Sequence, residues 1–404
     1  MPSDARVVVG GVDTHKDVHV AAVVDDRGKI LGTAPFDTTI RGCRALLRWM
    51  RSFGELERVG VEGTGAYGAG LARHLSDEGV EVLEVNRPNR QMRRLRGKSD
   101  TVDAEAAARA ALNGEASVIP KDRSHQVESI RVLRVAFCSA RESKTRVALQ
   151  IRDLILTAPF ELREALDPLS TVRRVDRCAR FRPGDPSDPI EATRLALRAL
   201  ARRHLDLSRE QTELGEHLDR LTAQVNPALR AAKGVGPDVA GILLVAAGDN
   251  AARLTSESAF AAMCGVSPIE ASSGKTVRHR LNRSGNRQAN HALWRITMVR
   301  MTTDEETKIY TARRLAEGKT KREVVRCLKR HIAREVFWLL ANPVFEAAGP
   351  TLRATRTRVG ISLQTVSDDL QVWPTKVSRI ERGLDHDSAF IERYRAWLSE
   401  HIAA

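Results

Sequence analysis

Apolar, β-branched runs and amphipathic stretches follow one another over the first 110 residues in an order that few folds accommodate. Residues 7–12 (VVVGGV), 18–24 (VHVAAVV) and 29–35 (KILGTAP) read as three successive strands, the last two joined by a turn at Asp26, Arg27 and Gly28. The pattern then predicts a helix over 39–50, a strand over 58–61, a helix over 66–76 and a strand over 80–85. A further helix opens at KSDTVDAEAAARA.

The resulting order, βββαβαβα, is that of an RNase H-like α/β fold, in which acids fall on the first strand, the fourth strand and a later helix. Here Asp13 closes the first run, Glu62 follows the fourth, and Asp100 and Asp103 open the last helix. The i, i+3 spacing of that pair puts both on one face of a first turn. Taken alone, Ser99 or Asp100 acting as a cap and Asp103 favouring the helix dipole would account for the pair. Beside Asp13 and Glu62 on adjacent strands, the four form a candidate divalent-metal site for phosphodiester chemistry. Carboxylates about 6 Å apart repel by about 3 kcal/mol per pair at an effective dielectric near 20, so such a cluster implies a cation. Oxygen ligands favour Mg2+ or Mn2+ over zinc, and no His or Cys cluster argues for another metal.

Basic charge adjoins these acids. The segment NRPNRQMRRLRGKSD carries Arg87, Arg90, Arg93, Arg94, Arg96 and Lys98, where a phosphate backbone would have to lie. The whole chain of 404 residues bears a net charge of +14, which favours a nucleic-acid partner over a membrane. Its longest apolar stretch, VAGILLVAA from Val239 to Ala247, is too short to span a bilayer, and no basic-then-apolar leader opens the chain. A cytoplasmic location is expected. The five cysteines are scattered without a CxxC pair and are expected to be reduced.

A long helix with a broad apolar stripe is predicted over 124–157. Pro159, Pro168, Pro183, Pro186 and Pro189 then break the chain before a second long helix, capped by Asp188 with Pro189 at its first position. The pair suggests an antiparallel hairpin or coiled coil, suited to self-association or to packing within one chain. From 226 onward the chain is basic and mostly helical. Gly234 and Gly236 separate two helices in the manner of a helix-hairpin-helix, which lets backbone amides face a phosphate. Further on, Ser272, Ser273 and Gly274 form a polar turn followed by Lys275, Arg278, Arg280, Arg283 and Arg287. Serine is commonplace in turns, and its hydroxyl needs a base or metal to act as a nucleophile; His279 and His291 are the nearby candidates. Residues 350–404 read as a helix-turn-helix, with Thr375, Lys376, Ser378 and Arg379 as exposed readers and Val377 and Ile380 in its core. A small bundle for protein contact is the alternative.

Taken together, GVDTHK, VEGTGAYG, KSDTVDAEAAA, KGVGPDVA and FAAMCGVSPIEASSGKTVR resemble the DEDD-type transposases of insertion sequences, relatives of the Piv and MooV DNA invertases, over roughly Val7 to Leu340. The resemblance implies a RuvC-like catalytic domain over 1–120, a helical hairpin over 121–225 and a helical transposase domain over 226–341. It implies Mg2+ at Asp13, Glu62, Asp100 and Asp103, and a catalytic serine at Ser273, with Ser272 the second candidate. The implied activity is transposition or site-specific recombination of DNA by a homo-oligomer, and some members pair target and donor DNA with a structured RNA encoded by the element. A RuvC-like junction endonuclease and a non-catalytic DNA-binding regulator are the alternatives. The C-terminal segment departs from the family pattern and resembles an Xre-type helix-turn-helix, in which Gln371 and Trp373 replace the expected glycine and small capping residue.

Overall fold

A computed structural model describes residues 6–85, 99–123, 125–250, 253–272, 274, 279–342, 348–381 and 387–403. The chain forms two compact units, Met1–Arg131 with Ala247–Thr255, and Val132–Ala246 with Ser256–Ala404.

The first unit is built on β1 (Val7–Thr14), β2 (Val18–Asp25), β3 (Ile30–Asp37), β4 (Glu55–Glu62) and β5 (Glu81–Val85), with α1 (Ile40–Arg51), α2 (Ala69–Asp77) and α3 (Asp100–Leu112). The sheet order is β3-β2-β1-β4-β5. β1 pairs antiparallel with β2 and parallel with β4, β2 pairs antiparallel with β3, and β4 pairs parallel with β5. Every expected strand and helix of this region is present. The expected turn after β2 is held by Asp25, whose Oδ1 accepts from the Arg27 and Lys29 amides, with Gly28 at φ 77°.

Alternation along β1 sorts the two faces of the sheet. Val8 and Val12 join Leu46, Leu47 and Met50 of α1 and Leu71 and Leu75 of α2 in one core, and a Cβ on Gly10 would meet Met50. Val9 faces the other way, with Ala107, Ala108 and Ala111 of α3. Gly11 lies on that second face, and a Cβ there would come within 2.1 Å of the Ala108 nitrogen and 2.3 Å of the Ala104 carbonyl oxygen. Gly60 does the same on β4, where a Cβ would lie 2.5 Å from the Ala107 oxygen. The alanine-rich helix therefore rests backbone to backbone on two glycines. Residues 247–255 return to this unit through Asn250, whose Nδ2 donates to Pro120 O at 2.9 Å, and Asp249, whose Oδ1 accepts from the Val127 amide at 3.0 Å.

The two long helices run Gln126–Leu156, in the second unit from Val132 onward, and Pro189–Val225, the latter capped by Asp188 with proline in its first turn. They are antiparallel: Gly215 sits beside Phe137, while Val147, Ile151 and Ile155 share a core with Leu197 and Ala201. The link between them is not simply a proline-rich break. It folds into helices Phe160–Leu166 and Thr171–Ala179, whose Leu162, Leu166, Val175 and Cys178 complete that core, with Pro159 serving as a helix N-cap.

Residues 239–247 lie in the helix Pro237–Ala247, and most of their side chains are buried. No described helix is long and apolar enough to cross a membrane. Asp238 in its first turn accepts hydrogen bonds from Arg134, Arg141 and Arg295 at 2.9, 3.1 and 2.5 Å. The helices Arg287–Thr303 and Lys321–Ala341 bury Leu293, Ile296, Val324, Ile332 and Val336. A Thr320–Glu323 capping box starts the second of them. The last four helices, Ala348–Arg358, Leu363–Asp369, Pro374–Glu381 and Ser388–Ala403, enclose Leu352, Val366, Val377, Ile380, Phe390, Tyr394 and Leu398. Gln371, where glycine was expected, itself takes the left-handed conformation at φ 53°.

Candidate metal centre

The alternation that puts Gly11 under α3 puts Asp13 on the same face, two residues on, beneath the first turn of that helix. The β1–β4 register ends at Val12↔Val61, so Asp13 and Glu62 are the next residues of two neighbouring parallel strands. Thr14 Oγ1 donates to the Glu62 carbonyl oxygen at 2.8 Å and ties the two strand ends together, and Gly63 turns the chain away at φ 72°. Ser99 caps α3 by accepting from the Val102 amide. Asp103 is buried and Asp100 is exposed.

Asp13 is also buried. Burial pushes its carboxyl above the ordinary range, the charges of Asp103 and Asp100 add to the rise, and His15 opposes it. Burial is the larger cause, and the two neighbouring aspartates add like charge of the kind that a hard divalent cation would relieve.

The structure adds His15 to the acids singled out in the sequence. His15 Nε2 lies 3.1 Å from Asp13 Oδ2 and 3.4 Å from Asp100 Oδ1, and donor atoms of all three residues fall within 4.8 Å of one another. Glu62, half-buried, and Asp103 are not in that three-donor group. The place of His15 two residues beyond Asp13, just past the end of β1, was the signal available. His19, opposite Thr14 on β2, is buried with Nδ1 lacking a hydrogen-bond partner among the described residues. Burial first, and then the nearby His15, lower its pKa.

Arg87, Arg90, Arg93, Arg94, Arg96 and Lys98 lie outside the described residues, as do Ser273, Lys275 and Arg278. The flanks of the Ser-Gly turn are visible: Ile269–Glu270 pairs antiparallel with His279–Arg280, and Ser272 and Gly274 between them are exposed. Arg280, Arg283 and Arg287 are exposed. Gly234 turns at φ 84° and Gly236 is exposed just before the helix Pro237–Ala247. Among the C-terminal positions, Thr375 and Arg379 are exposed and Ser378 is half-buried. Lys376 is half-buried rather than exposed, because it pairs with Asp387 at 2.7 Å and lies over the Phe390 ring.

Two segments of the chain match family models. Residues 10–158 match one for the DEDD-type transposase of IS110, and residues 226–312 match one for transposases of the IS116/IS110/IS902 family. The first segment contains Asp13, Glu62, Asp100 and Asp103, and the second contains the Ser272–Gly274 turn. An uncharacterized 43.6 kDa protein of the insertion element IS110 from Streptomyces coelicolor is 30% identical over 149 residues. That alignment covers 34% of this chain and 36% of the relative, so the match spans about a third of that protein's length.

Proposed function

We propose that this chain is an insertion-sequence transposase that cuts and rejoins DNA strands through a serine nucleophile and a divalent-metal site. The observation that carries the reading is the convergence of Asp13 with the first turn of α3, beside Glu62, in a chain similar to transposases over two separate segments. The sheet order β3-β2-β1-β4-β5, with one antiparallel and one parallel half, supports an RNase H-like, RuvC-like domain over 1–120.

The donor set fits a hard cation. Carboxylate oxygens from a strand end and a helix start are drawn together, and Asp13 is held above its ordinary pKa by burial and by its like-charged neighbours. In this reading Asp13, Glu62, Asp100 and Asp103 hold Mg2+ or Mn2+, which supplies charge neutralisation at a scissile phosphate. Ser273 supplies the attacking oxygen. Its bond to phosphorus forms as the phosphorus–oxygen bond to the departing strand breaks, and the serine proton is lost as the departing oxygen gains one. The resulting ester keeps the bond energy, so attack by a new strand end rejoins DNA without ATP.

The basic segment 87–98, the Gly234–Gly236 turn and the arginines from Lys275 to Arg287 are assigned to phosphate contacts, consistent with the +14 net charge. The partners in this reading are element-end and target DNA, an element-encoded structured RNA, and further copies of the chain. The C-terminal helices are assigned to a helix-turn-helix, with Pro374–Glu381 as the helix that enters a groove.

The test is incubation of purified protein with junction DNA, target DNA, any flanking transcript and Mg2+, followed by denaturation. A protein–DNA adduct that Ser273→Ala abolishes is the expected result. Cleaved ends without an adduct would replace the serine pathway by a junction nuclease, and binding without cleavage would leave a regulator.

A further inference from the structure

We propose that His15 is a direct nitrogen ligand of the cation held by Asp13 and Asp100. The inference rests on the metal-site reading above and deepens it, by changing the donor set from oxygen alone to mixed oxygen and nitrogen.

The geometry is specific. Nε2 of His15 faces two carboxylate oxygens at once, at 3.1 Å on Asp13 and 3.4 Å on Asp100. A single ring nitrogen carries at most one proton, so it can donate a well-formed hydrogen bond to one of them, and 3.4 Å is long for such a bond. Both separations suit neighbouring positions around an octahedral ion, where ligands at about 2.1 Å from the metal stand about 3.0 Å from one another. Donor atoms of the three residues, from the end of β1, the residue after it and the first turn of α3, all lie within 4.8 Å of one another, close enough to converge on one ion. Glu62 and Asp103, on the neighbouring strand end and one turn further along α3, remain for the other side.

The consequence is selectivity. Mg2+ prefers oxygen donors throughout, whereas an imidazole strengthens binding of Mn2+ and of later transition metals. The site is therefore tuned toward Mn2+ relative to a carboxylate-only centre.

The test uses the full-length protein and Mn2+ alone. Pulsed electron paramagnetic resonance of the wild type should show a nitrogen hyperfine coupling that changes when the histidines carry 15N. His15→Ala should remove that coupling and weaken Mn2+ at least ~10-fold while weakening Mg2+ much less, with the circular dichroism spectrum unchanged. His15→Asn, which retains a hydrogen-bonding group, should also lose the coupling. If Mn2+ binds, is lost in Asp13→Asn, and yet shows no nitrogen coupling and no dependence on His15, the histidine only hydrogen-bonds: this inference falls and the carboxylate centre stands. If Mn2+ fails to bind, or binds equally well to Asp13→Asn and Asp100→Asn, the metal-site reading itself falls and takes the inference with it.

Discussion

Gly11→Ala tests whether the close approach of α3 to β1 builds the centre. The added methyl would lie 2.1 Å from the Ala108 nitrogen and 2.3 Å from the Ala104 oxygen, both backbone atoms of α3. Ordinary contact begins at 3.4 Å, so the helix must lift by about 1.3 Å at that point. No rotamer change can absorb this, and overpacking of this kind costs about 1–3 kcal/mol. We expect the upper end, less the ~0.4–1 kcal/mol that alanine returns by restricting the unfolded chain. The lift carries Asp100 and Asp103 away from Asp13, and a misplacement near 1 Å costs on the order of 10²-fold in rate. Gly10→Ala is the control. Its methyl would meet Met50 Sδ and Cε at 2.8 and 2.9 Å, the far end of a flexible side chain on the opposite face, and Val59 Cγ2 at 3.1 Å, and should cost about 1 kcal/mol without moving α3. Urea midpoints give the stability term, and Mg2+-dependent strand cleavage with Mn2+ affinity gives the site term. Gly11→Ala with wild-type stability and cleavage, or Gly10→Ala with equal damage to the site, would refute the argument.

Three further outcomes follow from charges in the fold. Asp13→Asn should lower strand cleavage by about 10²-fold or more, yet raise the thermal midpoint of the metal-free protein at pH 7. The carboxyl's raised pKa means the folded state carries a penalty above the unfolded value, relieved as pH falls through the folded one. A lower midpoint for the variant would contradict this. Asp238→Asn should cost about 3 kcal/mol in urea unfolding, because Arg134 is left with a buried guanidinium and a weakened partner. Burial pushes the Asp238 carboxyl up, but the hydrogen bonds and charges of Arg134 and Arg295 outweigh it and hold it low. Its stabilisation is thus present above about pH 4 and lost as acid titrates through the folded pKa, so wild type and variant should converge in acid; parallel curves would argue otherwise. Glu381→Gln should loosen the C-terminal helices by about 2–3 kcal/mol. Arg356 reaches both of its carboxylate oxygens at 2.6 and 3.0 Å, and the Tyr394 hydroxyl donates to one at 2.7 Å. Hydrogen exchange should show lost protection over 352–398, with cleavage of supplied DNA unchanged; loss of cleavage would mean these helices serve the reaction.

What could be read ahead of the structure was what depends on local periodicity. The order of strands and helices along the first 112 residues follows from repeats of two or of 3.6 residues, which a sequence displays directly, whereas the equal placing expected of Asp100 and Asp103 resolves into one exposed and one buried side chain. The proline at the start of Pro189–Val225 was readable for the same reason, since its cap is the preceding residue. What escaped depends on partners distant in sequence. Nothing near Gly11 says that Ala104 and Ala108 lie over it, nor does the region of Asn250 announce a bond to Pro120. Two helices were hidden among prolines because proline marks helix starts as readily as chain breaks, and Pro159 starts one. Gln371 shows the converse: it replaces the glycine expected in the turn, yet its amide bonds to Asp368 O while Ser367 Oγ donates to Val372 O, and the surroundings impose the left-handed φ. His15 falls between the two cases. Its place two residues after Asp13 was visible in the sequence, but only α3, seated on Gly11 and Gly60, brings Asp100 to the ring nitrogen that also faces Asp13 and gives that place a chemical meaning.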